Sequence, residues 1–217
     1  MTAHLLVVAK APVPGYSKTR LAASVGPEQA AELAADALLD TLAAGAAAFA
    51  VGRRHVALAG DLSAGARAAE LRKALADWQV RPQADGTFGQ RLARAHAQVP
   101  GPVVQIGMDT PQATPDDLRV VAEQLGTADA VLGRAVDGGW WVLGLQEPRH
   151  ARCLVDVPMS TAHTADATCT ALVAAGLDPV ETLVLQDVDT AADADAVAAR
   201  HQDLAFARRW TELRWAT

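Results

Sequence analysis

Short apolar runs, each stopped by a turn and followed by a helix-length stretch, recur along the chain, and this alternation constrains the fold more than any other feature. Leu5-Leu6-Val7-Val8, residues 55–59, Val80-Arg81-Pro82 and Val103–Ile106 have the length and composition of buried strands. Between the first two, Pro27–Ala48 reads as a long helix: Gly26 closes the preceding turn, Pro27 suits a first helical position, and Glu28 complements the positive helix end. Further helices are expected from about residue 64 to 78, over 89–99, and from Thr114-Pro115-Asp116-Asp117, where a capping Thr, a proline and first-turn acids coincide, to about 125. Ala130-Val131-Leu132-Gly133 follows as another apolar run, and Asp137-Gly138-Gly139 turns into Trp140–Leu145, a strand placed to break a purely parallel order. A helix over 162–175 with Gly176 behind it, a strand over 181–186 and a helix over 193–200 complete the series. Strands alternating with helices predict an α/β fold of three layers, α/β/α, around a mostly parallel, mixed sheet.

With 217 residues, half of them hydrophobic, the chain has the material for one domain, 1–217, around a sizeable core. The net charge of −6 and the dispersal of the basic residues, Arg208-Arg209 and one early loop apart, argue against a nucleic-acid surface and for a small anionic ligand. Cys153 and Cys169 have neither metal-ligand spacing nor a disulfide pattern, so a reduced cytoplasmic setting is expected. The amino terminus enters a strand without a basic, then apolar leader, and no run approaches the roughly 20 apolar residues of a membrane span.

The early loop is Ala9-Lys10-Ala11-Pro12-Val13-Pro14-Gly15-Tyr16-Ser17-Lys18-Thr19-Arg20. Two prolines and a glycine stop the first strand, and Lys10, Lys18 and Arg20 then stand at its carboxyl end, where open α/β sheets bind ligands. Arg20 can grip two oxygens at once, and Gly15 lets backbone come close, so the loop is either a diphosphate site or a solvated basic turn. Tyr16 and Ser17 between Gly15 and Lys18 exclude a Walker A loop, and the missing GxGxxG excludes a dinucleotide site. Three acidic turns end later strands. Asp109, in Gly107-Met108-Asp109-Thr110-Pro111, is either a plain turn former or a carboxylate for Mg2+ or Mn2+. Asp187 and Asp189 flank one residue and point to one side if extended, either completing a metal shell or capping the next helix. Asp137, Gly138 and Gly139 form a hairpin turn, a backbone approach to a ligand, or both. Trp140 and Trp141 face opposite ways if extended, so one at most lines a pocket. The segment from Asp85-Gly86-Thr87-Phe88 is either a plain turn into a helix or brings Arg91 and the helix amides to a phosphate or a nucleobase, and His163 after Met159-Ser160-Thr161 is either structural or part of an acceptor pocket. No Ser-His-Asp order or activated cysteine is evident, which leaves metal-assisted displacement at phosphate or at an anomeric carbon.

Five ordered motifs carry a resemblance: Ala9 to Gly15 with Lys18-Thr19-Arg20-Leu21, Phe88-Gly89-Gln90-Arg91-Leu92, Gly107 to Pro111, Asp137-Gly138-Gly139-Trp140-Trp141, and Asp187-Val188-Asp189-Thr190. Together they resemble the radical-SAM/selenodomain-associated transferases, a former domain of unknown function within the GT-A-fold nucleotide-diphospho-sugar transferases. The resemblance implies a nucleotide over the first half of the sheet, with Asp109 as metal carboxylate and Lys18 and Arg20 on the phosphates. The expected function is a divalent-metal-dependent transferase using a nucleoside triphosphate or nucleotide-sugar donor, nucleotidyl- or glycosyltransferase in type, with an unidentified small-molecule acceptor. Lys18 and Asp109 are the candidate catalytic residues. Ala9, Lys10, Gly15, Lys18, Arg20, Arg91, Asp137, Gly138 and Gly139 are the candidate nucleotide and phosphate contacts, and Asp109, Asp187 and Asp189 the candidate metal ligands. The alternative is a non-catalytic nucleotide- or partner-binding module that retains the fold. Dimerisation through the Trp210 and Trp215 tail is left open.

Overall fold

The computed structural model describes residues 2–215. In chain order its elements are β1 (His4–Lys10), α1 (Thr19–Val25), α2 (Pro27–Ala48), β2 (Arg54–Ala59), α3 (Ala68–Ala74), β3 (Gln79–Pro82), α4 (Phe88–His96), β4 (Val103–Ile106), α5 (Pro115–Gln124), β5 (Ala130–Arg134), β6 (Trp140–Leu145), α6 (Thr164–Ala174), β7 (Pro179–Glu181), α7 (Ala191–Arg200) and α8 (Ala205–Trp215), with 3-10 turns at Leu62–Ala64 and Pro148–Asp156. One seven-stranded sheet runs in the order β3-β2-β1-β4-β6-β5-β7. β6 is antiparallel to both β4 and β5, and every other pairing is parallel. The mixed three-layer α/β/α architecture is as expected, and so is its single reversed strand.

Alternation along β1 builds the layers. Leu5 and Val7 face a core with Leu38, Leu71, Leu118 and Val121 from α2, α3 and α5. Leu6 and Val8 face the other side, with Leu92 of α4, Leu143 of β6, Leu154 of the second 3-10 turn and Leu172 of α6. A satellite cluster of Leu21, Leu33, Val197, Phe206 and Trp210 joins α1, α2, α7 and α8. Beneath it Asp36, 1% exposed, is paired with Arg67 and Arg209, while Asp40 accepts the backbone N–H groups of Ala205 and Phe206 at 3.0 and 2.9 Å. Trp210 is thus core, with its indole N–H on Asp195 at 2.8 Å, and of the tail pair only Trp215 is exposed.

The helix expected over 64–78 is split. Gly65 closes the first 3-10 turn and Arg67, at φ 50°, enters α3 from the left-handed region. The helix over 89–99 stops at His96, and the strand expected over 181–186 appears as β7 at Pro179–Glu181. Beyond Glu181 the chain keeps isolated contacts with β5, Thr182 N to Leu132 O at 3.1 Å and Leu185 N to Arg134 O at 3.2 Å; on its other side β5 slips register against β6 at Gly133/Arg134. Capping boxes at Thr87/Gln90, Thr114/Asp117 and Thr190/Asp193 start α4, α5 and α7. Cys153 and Cys169 are free thiols, and among the described residues no helix is long and apolar enough to cross a membrane.

Candidate functional site

The carboxyl ends of β1 and β4, the start of β6 and the segment before α7 meet around one cleft of about 770 Å³. After β1 the chain folds back on Val13, whose carbonyl accepts from Tyr16 and Ser17 at 3.0 and 3.3 Å. Lys18 follows at φ 50°, a left-handed setting that only a tightly held non-glycine residue keeps, and its side chain is turned inward to 3% exposure. There its ammonium is paired with Asp109, donates to the Val188 carbonyl and lies 3.8 Å from Asp189. Arg20 stays largely in solvent with one guanidinium nitrogen 3.4 Å from Asp189. The acidic segment is tied to the β4 end by Val188 N to Asp109 O at 2.8 Å and by the Gln112 amide, which donates to Gln186 O at 2.6 Å.

Asp187 is the perturbed group. Burial pushes its carboxyl up to about 7, and the negative charges of Asp109, Asp137 and Asp189 push the same way against the opposing Lys18. The expected carboxylates therefore do converge. They do not form a ready shell, since the described residues hold no group of three or more His, Cys, Asp or Glu side chains placed around one ion position. Asp109 and Asp189 are instead engaged by Lys18 and Arg20. The helix-capping alternative for Asp187 and Asp189 is not what the structure shows: Thr190 and Asp193 cap α7.

Asp137 accepts from Gly139 N at 2.8 Å, so the Asp137-Gly138-Gly139 segment is a side-chain-stabilised hairpin turn. Asp137 and Gly139 line the cleft, as do Ala9, Lys10, Arg20 and Arg91. Gly138 and Gly15 do not. Gly15, at φ 76°, provides a turn facing open space. Gly138, at φ 88°, packs on the backbone before α6, where an added Cβ would come within 2.0 Å of the Ala162 carbonyl oxygen. Gly138→Ala is accordingly expected to lower stability by more than about 2 kcal/mol in denaturant unfolding. An unchanged midpoint would show that the hairpin and the 159–162 segment are not packed this way.

Trp141 is 2% exposed and donates to Leu183 O at 2.9 Å, whereas Trp140 is only partly buried and donates to Thr168 at 3.1 Å; the two rings take opposite faces as expected, but both residues touch the cleft lining, where at most one was expected. Several contributors lacked any motif. Gln83 donates to Ala9 O and Ala57 O at 2.9 and 3.0 Å and accepts from Arg91 at 3.1 Å, locking Arg91 to the ends of β1 and β2. Gln105, 2% exposed, sits in the floor, and its side-chain oxygen is 3.1 Å from Nε2 of the buried His96. Desolvation lowers His96 to about 4, so its ring is neutral. Met159, Ser160 and Thr161 do line the cleft, while His163 is exposed at the start of α6.

The strand-end cleft, lined by basic and acidic groups, lies on a mixed three-layer sheet, a fold shared with several solved structures. A Desulfovibrio desulfuricans G20 protein assigned as a nucleotide-diphospho-sugar transferase superposes with a TM-score of 0.81 at 21% identity, over 99% of this chain and 98% of that one. A nucleotidyl transferase of Methanothermobacter thermautotroptrophicus gives 0.58 at 18% identity, over 89% and 95%. A CMP:2-keto-3-deoxy-manno-octonic acid synthetase complexed with CTP gives 0.55 at 13% identity, over 94% and 100%. At such identities these likenesses establish the fold. In sequence the chain belongs to the bacterial family described as "uncharacterized protein conserved in bacteria (DUF2064)", whose model matches residues 41–161. Among curated proteins none matches the sequence.

Proposed function

We propose that the protein is a divalent-metal-dependent transferase that takes a nucleoside triphosphate or nucleotide-sugar as donor and passes its nucleotidyl or glycosyl group to a small-molecule acceptor, with residues 1–217 acting as one cytoplasmic unit. The observation that carries this reading is the buried Lys18 ammonium set among Asp109, Asp187 and Asp189 where the loops of β1 and β4 meet. The resemblance to the radical-SAM/selenodomain-associated transferases and the fold shared with a CTP-bound synthetase support it.

The residues fit Mg2+ or Mn2+. Asp187 is short of positive charge, its neighbours are hard oxygen donors, and such ions are commonly held by one or two carboxylates with substrate phosphates completing the shell. Asp109 and Asp187 would hold the ion, Asp189 reinforcing them when Arg20 turns to the donor. When bound, the ion withdraws charge from the donor's diphosphate oxygens. Lys18, already desolvated, exchanges Asp109 for a phosphoryl oxygen and stabilises the charge that grows there as the bond breaks. Arg20, on the rim, can clamp two oxygens of the outer phosphate, while Ala9 and Gly139 bring backbone to the cleft wall. A loop with this much positive charge favours a triphosphate, and hence nucleotidyl transfer with release of pyrophosphate.

Asp109→Asn tests the reading. Against a panel of nucleoside triphosphates and nucleotide-sugars with Mg2+ or Mn2+, the native chain is expected to be stabilised by its donor and, with a suitable acceptor, to release pyrophosphate or nucleoside diphosphate. The variant should lose tenfold or more in metal-dependent affinity, about 1.4 kcal/mol. Unchanged affinity and turnover would overturn the metal site, and binding without turnover for any acceptor would favour a non-catalytic module.

A further inference from the structure

The cleft has two chemically different halves. Around Lys18 lie the carboxylates of Asp109, Asp137, Asp187 and Asp189. Arg20 sides with Asp189 in that first half. The other half lies on the side of the sheet where Leu6 and Leu143 pack against Leu92 of α4, and the last two charged groups of the lining, Lys10 and Arg91, belong to it. Among the described residues neither of these cations has an ion pair. The Lys10 ammonium lies 5.3 Å from the Tyr16 ring centre, and the Arg91 guanidinium 5.1 Å from that of Phe88. With one Arg91 nitrogen spent on Gln83 and its Nε buried without a partner, the guanidinium still has donors to give.

Gln105 shares this character, and the reason lies behind it. His96 is fully buried and its Nδ1 has no partner. An orphaned N–H is rarer and costlier than an orphaned acceptor, so the ring carries its proton on Nε2 and donates to the Gln105 carbonyl oxygen. That orientation fixes the amide: the oxygen faces His96, and the NH2 group, which has no protein partner and is not sealed in the interior, faces the cleft. A side chain able to offer either polarity is thereby held as a donor.

We propose that Lys10, Arg91 and Gln105 form a donor-only subsite that binds the carboxylate or phosphate group of a small anionic acceptor. Three donors facing one space require acceptor oxygens opposite them, and two unpaired cations favour those oxygens on an anion. The subsite assigns to the acceptor two cations, Lys10 and Arg91, that the sequence motifs offered as nucleotide contacts. That the occupant is the acceptor rests on the transferase reading; that the subsite binds an anion does not.

Glycerol 3-phosphate and malonate, titrated calorimetrically into the full chain in EDTA, test it, the two arms separating phosphate from carboxylate. At least one is expected to bind without metal. Gln105→Glu and Arg91→Gln should each weaken that binding tenfold or more, while Lys18→Ala leaves it within about twofold. If Gln105→Glu does not fold, Arg91→Gln and Lys10→Gln carry the same comparison. No binding of either probe, binding that needs Mg2+ or is lost with Lys18, or a response of nucleotide affinity alone to the Gln105 and Arg91 substitutions would each overturn the proposal. Failure of the transferase reading would show instead in the Asp109→Asn comparison, with metal-free anion binding intact.

Discussion

Lys18→Met is expected to lower turnover by about 10²- to 10³-fold and to weaken donor binding by on the order of 1.5–3 kcal/mol. The side chain is 3% exposed and already stripped of water, so its charge acts at short range in a poorly screened setting. Methionine keeps most of the volume and the left-handed turn is held by its neighbours, so the loss is electrostatic. Initial rates and donor affinity at saturating Mg2+ measure it. Equal affinities for the two chains would mean that Lys18 only neutralises Asp109 and never meets the donor.

Asp187→Asn is expected to have opposite effects on stability and on function. The folded chain keeps a proton on Asp187 up to about pH 7, whereas the unfolded chain releases it near the ordinary value of 3.8. Stability is thus lost as pH rises through that window, and above it the metal-free native chain carries the whole penalty. Asparagine carries none. In EDTA above about pH 8 the variant should be more stable by on the order of 2–4 kcal/mol, the gap closing below about pH 4. With Mg2+ or Mn2+ its donor turnover should fall by about 10²-fold, because a hard oxygen donor has been lost. Denaturant unfolding across the pH range and rates at fixed pH measure the two halves. A variant no more stable than the native chain at high pH would show that the acids do not crowd Asp187.

Much of the architecture was legible because local patterns and tertiary needs coincide. Pro27–Ala48 is bounded where Gly26, Pro27 and Glu28 put its start, and Thr114 caps α5 through the Asp117 three positions on. Lys18 and Asp109 could be brought together because residues beyond the carboxyl ends of neighbouring parallel strands, here β1 and β4, must meet, and Asp187 joins them from the segment between β7 and α7. Elements without such signals were missed. α8 has its N–H groups capped by Asp40, 165 positions away from Ala205, and no local spacing reveals a cap supplied from another helix. β7 was displaced because its pairing is set by Ala130, Val131 and Leu132 of β5, which no local spacing in 179–186 reveals. Gln83, His96 and Gln105 belong to no motif; their importance lies in which side of each amide is already used. Of the two readings of the 137–139 segment, the hairpin turn is what Gly138 serves, since the space beside it is taken by the Ala162 backbone.

The reversed strand β6 bears on how the chain is made. Until residue 145 has left the ribosome, the nascent sheet ends at β4, every residue of which is buried in the finished molecule. β5, synthesised earlier than β6, has nothing to join, since β6 alone connects it to β4. For that interval an apolar edge stands open beside an unattached strand, the situation in which growing chains recruit chaperones or one another. β6 is the keystone of an arch that cannot bear load before it is set.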